Sequence, residues 1–180
     1  MIDNRTTEAL VQKAIAGGQS AMKALYDSYG KLMYHISLRM TARKEDAEDI
    51  VQESFIKAFK SLHQLKDHST FGGWLRQIVI HNCIEHAKKK TPLTFLTDRF
   101  EEREEEDPAW LEENSYAAIH EAIKNLPEGC RQIFLLYVLE DYKHKEIAGF
   151  LGVSESTSKS QYLRAKQLLQ QSLKKVRWIK

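Results

Sequence analysis

A chain of 180 residues suits one large domain or two small ones. Its 42% apolar content can furnish a core and excludes a disordered chain. A mean hydropathy of −0.50, with no apolar run approaching about 18 residues, excludes a membrane-spanning helix. The formal net charge of +2 argues, taken alone, against a strongly basic nucleic-acid binder. Eight glycines and three prolines are few turn formers for this length, so long helices are expected and an all-β fold is not. Cys83 and Cys130 sit among helical apolar residues, where free cysteine behaves as a small hydrophobe, and no structural disulfide is expected. The N-terminal residues hold no apolar export core, which places the expected location in a reducing cytoplasm.

The small total charge conceals segregation. From Asp98 to Glu113 nine acids face two bases, a local charge of −7. Beyond Glu155 there is no acid at all, and the last 22 residues carry +7. A second basic cluster, Lys88-Lys89-Lys90, closes the first half.

In chain order, residues 6–90 read as helical throughout. Ala21, Leu25, Tyr29, Leu32, Ile36 and Met40 recur at three- and four-residue steps, and so do Ala47, Ile50, Val51, Phe55, Ala58 and Leu62. Each run lays an apolar stripe along one side of a helix, so these helices must pack on one another. The period breaks over His63–Thr70 and resumes with Phe71, Trp74, Leu75, Ile78 and Val79. From 91 to 115 periodicity fades, Pro92 and Pro108 appear and acids accumulate, the composition of a linker. Fully extended, those 25 residues would reach ~80 Å. A short helix over 116–126 stops before Pro127, and 131–140, 143–151 and 155 onward give three more, so residues 116–180 read as a second helical domain. The expected fold is therefore all-α, two small helical domains joined by an acidic tether.

Three constellations stand out. In Lys143–Lys166, Ile147 and Ala148 bury one face of a short helix, Gly152 turns the chain, Val153 plugs the core, and Ser154 can N-cap a longer helix. This is helix-turn-helix spacing. Tyr162, Ala165, Leu169, Leu173 and Val176 form the core stripe of the second helix, leaving Lys159, Ser160, Leu163, Arg164 and Gln167 to meet a groove. Cationic side chains suit guanine edges and phosphates, and an N-terminal turn rich in hydroxyls suits phosphate. Read as structure alone, the same segment is a helical hairpin with a solvated outer face. On the helix 46–62, Asp46, Asp49 and Glu53 fall at three- and four-residue steps and make an acidic ridge, a solvated or partner-binding face rather than a catalytic cleft. Over 63–90, aromatics, amides, histidines and lysines are interleaved as single-strand binding requires, with the loop's polar groups and Asn82 the better candidates for base contact. No zinc spacing, Gly-rich phosphate loop or nucleophile elbow is present. The expectation is thus no catalytic residue, metal, cofactor or small-molecule substrate.

The segments DAEDIVQESFIKAFKSL (46–62), STFGGWLRQIVIHNCIEHAKKK (69–90) and LPEGCRQIFLLYVLEDYKHKEIAGFLGVSESTSKSQYLRAKQLL (126–169) resemble the extracytoplasmic-function sigma factors, small two-domain members of the sigma-70 family. The likeness spans about residues 10–175, in the family's order. It implies a region 2 domain over 6–90, the linker 91–115 and a region 4 domain over 116–180. Carried over by position, Asp46, Asp49, Gln52, Glu53 and Phe55 fall in the segment that docks on the clamp helices of the polymerase β′ subunit. Lys66, Asp67, His68 and Ser69 fall in the loop that captures a flipped base of the −10 element. Asn82 matches an asparagine that helps read and melt it, with Lys88 and Lys89 beside the DNA. Thr157, Lys159, Ser160, Leu163, Arg164 and Lys166 match the helix that faces the −35 element. Implied partners are core RNA polymerase through its β′ clamp helices and β flap, promoter DNA, and an anti-sigma factor.

The sequence departs from the family at Ser158 (usually Val or Ile), at Gln161 (usually Arg), at Glu85 (commonly Asp) and in Lys88–Lys90 in place of an arginine-rich end. Altered packing and −35 contacts are expected at Ser158 and Gln161. The resemblance implies a promoter-specificity subunit of polymerase. The alternatives are a helix-turn-helix regulator acting without polymerase, which leaves the ridge at 46–62 unexplained, and a helical adaptor, against which the acid-free 159–180 segment speaks.

Overall fold

The computed structural model describes residues 4–90 and 116–177; the acidic linker 91–115 and the side chains from Lys175 onward lie outside the described residues. Every regular element among the described residues is helical. The chain divides into two compact units, the first ending at His86 and the second beginning at Ala87.

In the first unit, α1 (Asn4–Ile15), α2 (Gln19–Thr41), α3 (Lys44–Ser61) and α4 (Phe71–Lys90) follow one another, with single 3-10 turns at Leu62–Gln64 and His68–Thr70 between the last two. Leu25, Met33, Ile36, Ile50, Phe55, Leu62, Phe71, Leu75 and Val79 are buried together. Each such side chain contributes about 1.5–3 kcal/mol of burial free energy. The stripe on α2 runs through Met33 and not through Leu32, which is 45% exposed. From Leu25 and Tyr29 the four-residue step lands on Met33, and residue 32 falls about 100° to one side. Acidic Glu45 and Asp46 occupy the first turn of α3, where the helix dipole favours them.

Tyr29 ties three segments of this unit together. Its hydroxyl pairs with Thr7 Oγ1 of α1 at 3.0 Å, its ring meets Phe71 edge-on at 5.3 Å between centroids, and Gly72 leaves the notch it fills: a Cβ there would stand 2.8 Å from Tyr29 Cε1.

The second unit comprises α5 (Tyr116–Lys124), α6 (Glu128–Val138), α7 (His144–Leu151) and α8 (Glu155–Arg177). The long α8 packs against the other three through Ala165, Leu169 and Leu173, which meet a core of Ile133, Leu136 and Ile147. Arg131, also buried, donates from Nη1 to the carbonyls of Leu126 (2.9 Å) and Lys124 (3.2 Å). It thereby satisfies backbone acceptors that the end of α5 leaves open. Cys83 and Cys130 are buried, and no disulfide joins them.

Candidate nucleic-acid interface

The turn between α7 and α8 is built as its residue types require. Gly152 adopts φ +70, a left-handed conformation that costs glycine nothing, and its N–H bonds the Ala148 carbonyl. The Val153 N–H reaches the same carbonyl at 3.0 Å, and Ser154 Oγ accepts the Thr157 N–H at 3.0 Å, capping α8. Val153 is only half-buried, whereas Leu151 is buried. The core under the turn is therefore sealed by Leu151 rather than by Val153.

On α8 the structure brings Thr157, Lys159, Ser160, Leu163, Arg164 and Lys166 to the half-buried or exposed side of the helix. They are not equally unencumbered. Lys159 Nζ lies 2.8 Å from Glu155 Oε1 one turn earlier, and these two groups raise and lower each other's pKa in the sense of a mutual ion pair. Lys166 sits over the Tyr162 ring at 5.7 Å. Ser160 Oγ donates to the Thr157 carbonyl at 3.0 Å.

Gln161 and Ser158 point the other way. Gln161 is 5% exposed, and its Oε1 accepts from Cys130 Sγ at 3.0 Å, while burial pushes the Cys130 thiol up from its ordinary value. Ser158 is wholly buried, with Oγ 2.9 Å from His144 Nδ1. Both departures from the family pattern thus alter packing, and Gln161 makes no part of the outward face. Sequence spacing already held this signal, since 158, 161, 165 and 169 keep the three- and four-residue rhythm of the core stripe. His144 stacks on Tyr137 at 4.4 Å, and desolvation, with Lys159 nearby, holds its imidazole below the ordinary value.

In the first unit the acidic ridge divides. Asp49, Gln52 and Glu53 are exposed, and Glu53 pairs with Lys57 at 2.8 Å. Asp46 turns aside to lie 3.4 Å from both Arg43 Nε and His86 Nε2, joining α3 to the end of α4. Phe55 is 3% exposed and packs on Tyr26 and Phe59, so it supports the ridge from beneath. Beside the ridge, Tyr26, Lys31, Tyr34, Glu48 and Gln52 line an open groove of about 560 Å³ between α2 and α3.

The segment before α4 is ordered by its own side chains. Asp67 Oδ1 accepts from the Ser69 N–H (3.0 Å) and hydroxyl (2.6 Å), bonds that hold its carboxyl below the usual range. Lys66 and Asp67 are exposed, and His68 and Ser69 half-buried. Lys88 and Lys89 are exposed on the last turns of α4.

Asn82 is not exposed. Its side chain spans α3 and α4, with Nδ2 donating to Ser54 Oγ at 2.7 Å and Oδ1 accepting from Lys57 Nζ at 2.7 Å. It forms the floor of an open groove of about 340 Å³ whose walls include Lys57, Trp74, Gln77 and the exposed His81. Spacing alone did not bring out Lys57, which the tertiary structure carries to this groove. No metal-binding group of three or more His, Cys, Asp or Glu occurs among the described residues, and none of their helices is long and apolar enough to cross a membrane.

A capped helix-turn-helix with a cationic outer face, on one chain with a four-helix unit that carries an acidic ridge, defines a helical transcription factor. The Sigma-70 region 2 model matches residues 25–92 and the Sigma-70 region 4 model residues 116–169. Among curated relatives, the ECF RNA polymerase sigma factor SigM of Bacillus subtilis is 30% identical, over 81% of this chain and 90% of the relative. The RNA polymerase sigma-H factor of Pseudomonas aeruginosa is 26% identical over 96% of each. A solved structure of the sigma factor RpoE from Bartonella quintana, in complex with the anti-sigma factor NepR, shares the fold at a TM-score of 0.52, with 21% identity over 84% of this chain and 96% of that one. The chain belongs to the sigma-70 family, in its extracytoplasmic-function branch. It is a sigma factor, which binds core RNA polymerase and directs promoter-specific initiation of transcription.

Proposed function

We propose a division of labour between the two units. The exposed acids of α3, Asp49 and Glu53 with Gln52, dock on the β′ clamp helices, with Asp46 and Phe55 holding that face in shape. The ordered turn Lys66–Ser69 and the α3–α4 groove over Asn82 receive the melted −10 strand, with Lys88 and Lys89 on its phosphates. The outer face of α8, carrying Thr157, Lys159, Ser160, Leu163, Arg164 and Lys166, reads the −35 duplex. Residues 91–115 tether a region 2 domain over 6–90 to a region 4 domain over 116–180.

The observation that carries this reading is the presence of both surfaces on one chain. A regulator acting without polymerase needs the cationic helix and has no use for the ridge. The factor acts without catalysis of its own and works in the cytoplasm, where polymerase and promoter are found and where cysteines stay in the thiol form. An anti-sigma factor of the kind named with the Bartonella relative is the expected restraint.

Reconstitution with bacterial core polymerase tests the reading. The complex should form at submicromolar concentration and open a promoter selected from random DNA. Failure to form it at micromolar concentration would sink the proposal and leave the regulator.

A further inference from the structure

The first turn of α8 holds a feature that affinity for DNA does not explain. Its sole acid, Glu155, is half-exposed at the start of the helix, and a carboxylate on a DNA-facing surface repels phosphate. Lys159, one turn on and also half-exposed, is drawn to within 2.8 Å of it. Four residues of helix rise about 6 Å, but the ion pair closes the two tips to hydrogen-bond distance. An acceptor-only oxygen and a donor-only nitrogen are thus offered side by side from one helical face. Lys145 and His144 also lower the Glu155 pKa, so the carboxylate stays ionised and cannot act as a donor.

In the major groove the edge that complements such a pair is a C·G base pair. Cytosine presents the N4 amino donor, and its guanine partner presents the O6 and N7 acceptors. N-terminal residues of a recognition helix are the ones that reach base edges. We infer that Glu155 and Lys159 act together as a specificity-determining pair, Glu155 accepting from cytosine N4 and Lys159 donating to guanine O6 or N7 on the same or the adjacent base pair. The inference rests on the proposed placement of α8 at the −35 element. The ion pair has a second role as an ordinary helix-stabilising contact, which predicts no effect on base preference.

The test uses the full-length chain assembled with core polymerase and a pool of duplexes randomised across the −35 region, read as the base enriched at each position. The wild-type protein should enrich cytosine opposite guanine at one position. Glu155→Ala should lower cytosine preference there at least tenfold while the other positions keep theirs, and Lys159→Met should relax guanine preference at the same or the adjacent pair. If Glu155→Ala leaves every preference intact and tightens binding evenly across the pool, the carboxylate is only a tether and a repulsive charge, and the inference is overturned. If the polymerase complex forms but the wild-type protein enriches no duplex sequence, the −35 reading of α8 fails, and this inference with it.

Discussion

Replacing Asn82 by alanine separates a direct role in DNA reading from a role in holding the unit together. The substitution deletes an amide that donates to Ser54 Oγ and accepts from Lys57 Nζ, each at 2.7 Å. Ser54 is itself fully buried; it keeps its own bond to the Ile50 carbonyl (2.6 Å) but loses its donor. Lys57 retains Glu53. The bond to Ser54 is therefore lost without leaving Ser54 Oγ partnerless, at about 1 kcal/mol, and the small void left by the amide adds about 1–2 kcal/mol. A total of about 2–3 kcal/mol is expected. With a urea slope of about 1 kcal/mol per molar for a small unit, the midpoint should fall by about 2–3 M. In a cycle with Ser54→Ala the double variant should cost less than the sum of the singles, by about 1 kcal/mol, because the two groups satisfy each other. Equilibrium urea unfolding followed by circular dichroism provides these numbers. Promoter opening by Asn82→Ala should then recover on cooling as the unit refolds. A loss below about 0.5 kcal/mol, together with a tenfold drop in affinity for single-stranded −10 DNA at every temperature, would refute the interhelical tie and make Asn82 a base-contacting residue.

Other substitutions probe the remaining surfaces. Gly72→Ala should lower the thermal midpoint of the first unit, at a cost of about 1–3 kcal/mol, since the new Cβ meets a Tyr29 ring fixed by Thr7 and Phe71. Asp49→Lys should weaken polymerase binding about tenfold or more, measured by fluorescence anisotropy, with −35 duplex binding unchanged. Arg164→Ala should weaken duplex binding and reduce the dependence of log affinity on log salt by about 1. His144, whose imidazole is held below its ordinary value of 6.5 by burial and Lys159, binds its proton more readily unfolded than folded. Stability of the second unit should be fully present above about pH 6.5 and fall as pH drops from there through the lowered folded value. His144→Gln should flatten that dependence in thermal melts between pH 5 and 8; an unchanged slope would remove His144 as its source.

Much of the fold was legible in the residues because burial imposes a period. The stripes on α2, α3 and α4, the turn at Gly152 and the cap at Ser154 all follow from side-chain spacing and backbone preference. The same rhythm could have placed Asn82 inside: Leu75, Val79, Asn82 and Cys83 keep the helical period, and three of the four are plainly apolar. Chemical type drew Asn82 toward the DNA, and packing drew it into the core. Gln161 and Ser158 repeat this on α8.

The sequence by itself determined an all-helical chain with two helical segments, a helix-turn-helix near its end and a helix with three regularly spaced acids, because periodicity and turn chemistry are local properties. Only the tertiary structure decided which of the polar residues on those helices face outward. That depends on the distance and partners offered by a neighbouring helix: Ser54 and Lys57 draw in Asn82, His86 draws Asp46 aside, and Cys130 receives Gln161. A buried amide or carboxylate is tolerated only where such a partner stands ready, and no local pattern records where the partner lies.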